Sequence, residues 1–457
     1  MAILVGPIGI GVMSQLGGIS AIVFSVIPLG TVGITKYLSQ YFEDDRKEDI
    51  RALIKYVVVW NFPILLTAMI LIVVFSENIS KFLFNDAHNS YLVVIFGLSL
   101  FFGLLSSIVE IVLKSVRKVS LYVKYTIISA LLTLLISIPA IYFLNLTGAV
   151  LTFGFTFCFS FLVGFLLLKK NNLIPIGAKM KKTEKKVKSD ILKIGLASTI
   201  MLVIQQVTLI YIKSTIAAKF GLSEVGIYQS VFSISTNYFG LFFGIIGIYC
   251  IPKLSTLKEN SETILEINRT LKIILMIYVP AIALCFVFRI LVIKLLYSDS
   301  FLGASELFLF QLLGEFCKAL SWIFGLWLIP NLKIRAWFIF DIITTLLFVA
   351  FFLILTNVYD VGIESATIAY FCSYLIISVV NFIYIRKSIS FTFKLSNFKL
   401  LISSILAISV VFCVSSFDVF YGYLCVVPVL LLWTKAVLKK RDVHSLIAIF
   451  RKDQNLN

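Results

Sequence analysis

The sequence has little charge and few residues suited to catalysis. Only 14% of its 457 residues are charged, and its two histidines, His88 and His444, both lie in polar breaks. Seven cysteines are scattered singly without a C-x-x-C pair, a pattern that favours neither a disulfide framework nor a metal site. Ser/His/Asp arrangements and metal-ligand clusters are also missing from the pattern. We therefore expect a protein that is not an enzyme and needs no cofactor.

Long apolar runs dominate the sequence instead. Hydrophobic residues make up 60% of the chain, and apolar runs of about 20 residues, enough to cross a bilayer as a helix, recur along it. This predicts an all-α polytopic membrane protein with thirteen spans. The predicted spans are 12–35, 54–75, 91–113, 124–144, 148–168, 194–217, 225–251, 273–296, 306–329, 337–356, 363–385, 400–417 and 420–437.

The formal charge of +17 comes from Lys and Arg residues that concentrate in alternate breaks between apolar runs. The positive-inside rule then predicts that these breaks and the C-terminus are cytoplasmic. The densest basic run, residues 179–190, is expected to be a solvated linker that attracts anionic lipid. We expect no binding of nucleic acid, because the basic residues do not form an amphipathic face.

An internal repeat relates the two halves of the chain. Gly9 matches Gly226 and Lys36 matches Lys253, both at an offset of 217 residues. Six spans separate the matched elements, so the halves enter the membrane in the same sense, as in secondary transporters that bind substrate in a cleft between two parallel-related halves. The span 194–217 has no upstream counterpart, and we expect that a parent protein of fourteen spans has a first helix that precedes residue 1.

These features divide the chain into four predicted parts. Residues 1–170 form an N-terminal helical half and residues 171–190 a basic cytoplasmic linker. Residues 191–388 form the C-terminal half, and residues 389–457 add two helices and a basic cytoplasmic tail.

Glycines crowd the stretch 6–20 and resemble a phosphate-binding loop. Such a loop needs a strand before it, and residues 1–5 are too short to supply one. The repeat does not keep these glycines in its second copy. We therefore expect them to allow a turn and a close contact between helices.

Ionisable side chains inside predicted spans are candidate functional residues, because burying them in hydrocarbon is costly. Glu315 and Lys318 stand three residues apart in mid-span, on one helix face. Two interpretations stay open: a neutralising structural pair, or a lumen-facing pair that touches substrate or a coupling ion. Glu110 precedes Lys114 by four residues, a spacing that predicts a local ion pair.

Other candidates lie nearer the ends of spans or are uncharged. Arg289 and Lys213 are close to the predicted outer ends, where snorkelling to the interface is the alternative. Asp341 is close to a cytoplasmic end, where a contact with a neighbouring basic residue is the alternative. Three mid-span amides either line a polar lumen or link helices: Gln205, Gln206 and Asn237.

Several segments resemble the Wzx family of lipid-linked oligosaccharide flippases, the polysaccharide branch of the exporter superfamily that contains the MATE transporters. The resemblance covers residues 6 to about 387 and is carried by GPIGIG, TKYLSQY, LKSVR, EVGIYQSVFSIS, IPKLS and QLLGEFCK. It implies a bacterial inner-membrane protein that moves undecaprenyl-diphosphate-linked O-antigen units from the cytoplasmic to the periplasmic leaflet by alternating access. Family members carry an acid and a lysine at the positions of Glu315 and Lys318, and an arginine matching Arg289. Asn237 stands where some relatives have Asp.

The resemblance also suggests roles and partners. Arg289 and Lys318, with Lys213, are expected to attract the diphosphate, whereas Glu315 and Asp341 balance these charges or bind a coupling ion, H⁺ or Na⁺. Expected partners are the lipid-linked oligosaccharide, membrane lipids, an O-antigen polymerase and a chain-length regulator.

Three alternative functions stay open at this stage. A MATE-like multidrug exporter is disfavoured by the intramembrane cations, because cationic drugs favour an acidic lumen. A glycolipid polymerase or ligase needs a large periplasmic loop, and the breaks between spans are too short to supply one. A lipid II flippase differs only in which glycolipid it moves.

Overall fold

In the computed structural model of the chain, the described residues are 2–26, 31–116, 118–173, 184–257, 259–328, 330–331 and 333–437. Their regular structure is helical, and no strand occurs among them. The helices are α1 (Ala2–Val26), α2 (Thr31–Glu43), α3 (Lys47–Val74), α4 (Ser76–Phe84), α5 (Ser90–Ser115), α6 (Val119–Lys170), α7 (Lys185–Phe220), α8 (Leu222–Ser233), α9 (Gly240–Thr256), α10 (Asn260–Val287), α11 (Arg289–Leu296), α12 (Ala304–Gly325), α13 (Ile334–Asn357), α14 (Glu364–Ile389), α15 (Leu395–Phe417) and α16 (Val419–Val437). A π-helical segment, Ile234–Phe239, joins α8 to α9.

The described part of the chain contains 11 helices that are long and apolar enough to cross a membrane. The protein is therefore a multi-pass membrane protein, and the predicted all-α fold class is confirmed. The predicted spans 124–144 and 148–168 are the two arms of α6, which break at Asn145 (φ 48°, ψ −125°). The total of thirteen spans stays a prediction.

Several helices extend beyond the predicted spans. The prediction placed one span at 273–296, whereas α10 begins at Asn260 and ends at Val287, and α11 follows a break at Phe288. Hydropathy detects only the apolar part of such a helix. The polar first turns of α10 are also helical and buried on one side, where Glu266 pairs with Lys253 at 2.5 Å.

The chain forms two compact units, Met1–Gly226 and Ile227–Asn457. In the first unit, α5 packs on α6 and α3, and α7 packs on α1, α2 and α4. Apolar side chains such as Leu16, Leu65 and Phe96 are completely or almost completely buried there. In the second unit, α12 and α13 pack on α14, and α10 packs on α15.

The unit boundary at Gly226 differs from the boundary drawn on the sequence repeat, because α7 packs inside the first unit. The predicted parts 1–170, 171–190, 191–388 and 389–457 were defined by the repeat and by charge, and this division stays a prediction. Residues 174–183 of the predicted linker and residues 438–457 of the predicted tail lie outside the described residues.

Two N-terminal features confirm the expected role of the glycine-rich stretch. Gly6 interrupts α1 with a φ of +63°, a backbone conformation that residues with a Cβ rarely adopt. Gly11 lies against α8, because a Cβ added there would be 2.5 Å from the carbonyl oxygen of Leu222. Gly226 of α8 is also close to this segment of α1, because a Cβ added there would be 1.9 Å from the carbonyl oxygen of Pro7. The glycines therefore provide a turn and a close helix contact within the first unit.

Candidate functional site

The predicted charged pair lies on α12, at the face that packs against α14. Glu315 is completely buried, whereas the Lys318 side chain keeps 22% of its surface exposed. The Lys318 ammonium donates a hydrogen bond to Glu315 Oε1 at 3.2 Å and another to the Tyr370 hydroxyl at 3.1 Å. The expectation that Glu315 and Lys318 share one helix face is confirmed, and the two side chains form an ion pair.

Three donors converge on one oxygen of the buried carboxylate. Glu315 Oε1 accepts hydrogen bonds from Lys318, from the Tyr370 hydroxyl at 2.5 Å, and from the Ser235 hydroxyl. Gln311 Nε2 in turn donates to Ser235 Oγ at 2.9 Å. Glu315 Oε2 and Gln311 Oε1 are buried acceptors without a hydrogen-bond donor. These two oxygens are therefore available to a proton or a small cation.

Sequence reasoning missed Ser235, Gln311 and Tyr370. Gln311 precedes Glu315 by four residues, so the helical spacing alone places it on the same face and was a usable signal. Tyr370 lies on α14, and only the packing of α12 against α14 brings its hydroxyl to Glu315. No sequence pattern marks that pairing.

Ser235 belongs to the π-helical segment between α8 and α9. A π-helical turn is wider than an α-helical turn and is frequent at functional sites. Its last carbonyl, that of Phe239, accepts a hydrogen bond from the Tyr278 hydroxyl at 2.8 Å. The segment is therefore held by α10 while it presents Ser235 to the carboxylate on α12.

Aromatic rings surround the Lys318 ammonium. Its Nζ lies 5.9 Å from the centre of the Phe243 ring and 5.8 Å from the centres of the Tyr370 and Tyr374 rings. Ring faces attract a cation, and the attraction increases when water is excluded. The ion pair and the rings together compensate for the loss of hydration of this charge inside the helix bundle.

A cavity of about 180 Å³ adjoins the pair within the second unit. Lys318 and Asp341 both line it, together with the polar side chains Ser321 and Asn381. Asn381 Nδ2 donates to Ser321 Oγ at 2.9 Å and to the Ser321 carbonyl at 3.2 Å. The structure thus brings Glu315, Lys318 and Asp341 to one site with charges of both signs.

Arg289 has a different environment at the start of α11. Its guanidinium donates to the Phe286 carbonyl at 2.9 Å, to Ser415 Oγ at 2.9 Å and to the Ser415 carbonyl at 3.3 Å. It also lies 4.5 Å from the centre of the Phe286 ring. These contacts join the break between α10 and α11 to the end of α15, and they do not include the Glu315 and Lys318 side chains.

The remaining predicted residues are not part of this cluster. Lys213 is buried on α7 in the first unit, where Gln206 is partly buried and Gln205 is exposed. Asn237 belongs to the π-helical segment of the second unit, but its side chain is exposed. Ser235, two residues earlier, contacts the carboxylate instead.

The fold is shared with solved transporters. An inward-facing multidrug resistance MATE family transporter of the MOP superfamily superposes with a TM-score of 0.70 at 14% identity, covering 84% of this chain and 91% of that chain. The lipid II flippase MurJ, in an inward closed conformation, superposes with a TM-score of 0.64 at 16% identity, covering 94% of this chain and 98% of that chain. At these identities the likeness establishes the fold.

Sequence comparison identifies the family. The lipid III flippases of Escherichia coli (strain K12) and Shigella flexneri are each 24% identical to this chain over 381 residues, covering 82% of this chain and 90% of the relative. A family model described as polysaccharide biosynthesis protein matches residues 11–306, more than half of the chain. The predicted resemblance is confirmed, and the chain belongs to this polysaccharide biosynthesis protein family.

Proposed function

We propose that the protein is a flippase for lipid-linked oligosaccharides. Its substrate is undecaprenyl-diphosphate-linked O-antigen units, which it moves from the cytoplasmic to the periplasmic leaflet of the bacterial inner membrane by alternating access. The family, the lipid III flippase relatives and the transporter fold support this class of activity. The observation that carries the proposal is the buried Glu315–Lys318 pair, whose lysine opens on a cavity shared with Asp341.

Lys318 is the proposed contact for the substrate diphosphate. Its ammonium is partly exposed and lines the cavity, and charge-assisted hydrogen bonds to phosphate replace the hydration that is lost in the membrane. The polyprenyl tail stays in lipid, so the protein needs to shield only the diphosphate and its sugars. Arg289 and Lys213 stay candidate contacts for a diphosphate.

Glu315 is the proposed coupling residue. Its Oε1 already accepts three hydrogen bonds, whereas Oε2 accepts none, so Oε2 is the atom that takes up the coupling cation. A proton at Oε2 neutralises the carboxylate and weakens its hold on Lys318. The lysine then turns to the diphosphate, which links proton uptake to substrate binding. Na⁺ bound between Glu315 Oε2 and Gln311 Oε1 is the alternative coupling ion.

A multidrug exporter of cationic compounds is the second candidate. The Lys318 ammonium in the cavity lining would repel a drug cation, whereas the Asp341 carboxylate in the same lining would attract one. A lipid II flippase uses the same headgroup chemistry and differs in its glycan. An O-antigen polymerase and a chain-length regulator stay proposed partners, because they act on the translocated glycolipid. The protein itself is proposed to catalyse no reaction.

Leaflet-resolved labelling of lipid-linked O-units tests the proposal in cells that lack their own flippase gene. The wild-type chain should restore periplasmic O-units, and Lys318→Ala should leave them facing the cytoplasm. Lys294→Ala is the matched control, because Lys294 is half exposed and pairs with Asp299 at 3.0 Å. Restoration by Lys318→Ala equal to wild type would overturn the assigned role of Lys318, and labelling of lipid II instead of O-units would establish the alternative substrate.

A further inference from the structure

A second cavity lies in the first unit, along the two arms of α6. Its volume is about 510 Å³, and it is lined by residues of both arms with Glu110 of α5 and Leu4 of α1. We call it the hydroxyl groove, because seven Ser and Thr side chains line it: Thr126, Ser129, Thr133, Ser137, Thr152, Thr156 and Ser160. The charged pair of the proposed transport site belongs to the second unit and has no part in it.

The hydroxyls of the first arm repeat at helical spacing. Thr126, Ser129, Thr133 and Ser137 follow one another at intervals of three or four residues and therefore share one helix face. The groove follows this arm from Tyr122 to Ile141, a length of about 28 Å at 1.5 Å per residue. That length is close to the thickness of the hydrocarbon core, about 30 Å.

Two of these hydroxyls are buried without a hydrogen-bond partner. Ser129 is 5% exposed and Ser137 is 7% exposed, and both line the groove. Buried polar groups are almost always hydrogen-bonded, and an unpaired hydroxyl is costly in an apolar environment. The Thr133 and Thr156 hydroxyls donate to carbonyls of their own helix, at 2.8 and 2.7 Å, and keep free lone pairs as acceptors. The groove therefore presents both donors and acceptors to a ligand.

The charge of the groove does not favour a phosphate as its ligand. Glu110 is the charged residue in its lining, and its carboxylate pairs with Lys114 at 2.7 Å, as the sequence spacing predicted. The Tyr122 hydroxyl donates to the same carboxylate at 3.1 Å. An anion in the groove would meet a carboxylate and neutral hydroxyls, whereas a neutral polyhydroxylated group finds hydrogen-bond partners along its length. A carboxylate is itself a good acceptor for ligand hydroxyls.

The apolar part of the lining also suits a sugar. Leu134, Ile138 and Ile141 lie between the hydroxyls, and Tyr122 and Tyr125 lie toward the Glu110 end. Sugar rings have C–H faces that pack on apolar and aromatic side chains and rims of hydroxyls that hydrogen-bond. A hydrocarbon chain, by contrast, would leave Ser129 and Ser137 unpaired.

We propose that the hydroxyl groove is a binding site for the neutral sugar residues of a glycolipid headgroup. The inference rests on the proposed function in one respect, that the transported substrate carries a glycan. Ser129 and Ser137 are the residues whose hydroxyls bind the sugar.

The test uses a dodecyl maltoside that carries a benzophenone photoprobe. The full chain is placed in nanodiscs of phosphatidylethanolamine and phosphatidylglycerol, irradiated with increasing probe, and labelled peptides are mapped by mass spectrometry. Label should saturate on α6 peptides. The double variant Ser129→Ala/Ser137→Ala should raise the half-saturating probe concentration by about tenfold, because each lost hydrogen bond weakens binding severalfold.

The matched control is Ser106→Ala/Ser115→Ala. Both serines are buried in the first unit on α5, and their hydroxyls bond to carbonyls of their own helix outside the groove, those of Gly103 and Ile111. This control should label like the wild type. If the first double variant does not give a monodisperse protein, Thr133→Val, which keeps the side-chain shape, replaces it and should raise the half-saturating concentration severalfold.

Three results would overturn the proposal. The first is label outside α6, and the second is equal labelling of the wild type and the groove variants. The third is that a benzophenone dodecanol without a sugar labels α6 as strongly as the maltoside probe and loses as much labelling in the groove variants. The last result would identify a site for hydrocarbon chains. Lys318→Ala should abolish transport and leave the α6 labelling unchanged. A wild type that labels on α6 but moves no O-units would therefore refute the proposed function and leave the sugar site supported.

Discussion

Removing one partner of the buried pair should destabilise the protein more than removing both. In Lys318→Met the Glu315 carboxylate stays completely buried and loses one of its three donors. Breaking a buried pair in this way costs about 3–5 kcal/mol, whereas replacing both partners by neutral side chains of similar size is often close to neutral. Glu315→Gln/Lys318→Met should therefore be more stable than Lys318→Met.

The assay is thermal unfolding of the purified chain, with all variants in the same detergent and buffer. Lys318→Met should lower the midpoint by about 3–5 °C, because a chain of this length loses about 1 °C per kcal/mol, and the double variant should recover most of that loss. Lys294→Met is the control. It breaks an exposed ion pair with Asp299 and should therefore lower the free energy of unfolding by less than about 1 kcal/mol. A Lys318→Met midpoint equal to wild type, or a double variant no better than Lys318→Met, would refute the argument that the pair neutralises a buried charge.

Three further substitutions test other parts of the structure. Gly226→Ala should lower the unfolding midpoint clearly, because its Cβ would overlap a backbone carbonyl of α1. Gly244→Ala is the control and should leave the midpoint unchanged, because a Cβ there meets open space. Equal midpoints of the two variants would contradict the close contact. Tyr370→Phe removes a hydroxyl that bridges the buried carboxylate and the lysine, and should cost about 1.5–3 kcal/mol and most of the transport activity; wild-type transport would contradict its place in the site. Arg289→Lys keeps the charge but loses the planar guanidinium that donates to Ser415. An unfolding midpoint several degrees lower with transport retained indicates that Arg289 holds α11 against α15. Transport lost at an unchanged midpoint indicates that Arg289 binds the diphosphate.

The sequence was sufficient to predict the features that depend on one helix at a time. Apolar runs predicted both arms of α6, and the spacing of three residues placed Glu315 and Lys318 on one face. The same reasoning predicted the Glu110–Lys114 pair. Each of these follows from helix length or from the period of 3.6 residues, which need no tertiary information.

Features that depend on contacts between helices were not predictable in the same way. The Tyr370 hydroxyl reaches Glu315 only because α14 packs on α12, and Ser235 reaches it only through a π-helical turn. The packing of α7 within the first unit likewise has no signal in its own hydropathy. A hydropathy window also misses polar helical turns, which is why α10 begins before its predicted span.

Reconstitution of the purified protein measures both the proposed flipping and the role of Lys318. Purified protein is placed in proteoliposomes that contain undecaprenyl-diphosphate-linked oligosaccharide in both leaflets, and an impermeant lectin reports the fraction of glycan exposed outside over time. We expect wild-type protein to expose the inner-leaflet glycan to the lectin, and Lys318→Ala, at the same protein density, to leave it protected. Protection that persists with the wild type, or equal exposure with Lys318→Ala, would contradict this expectation.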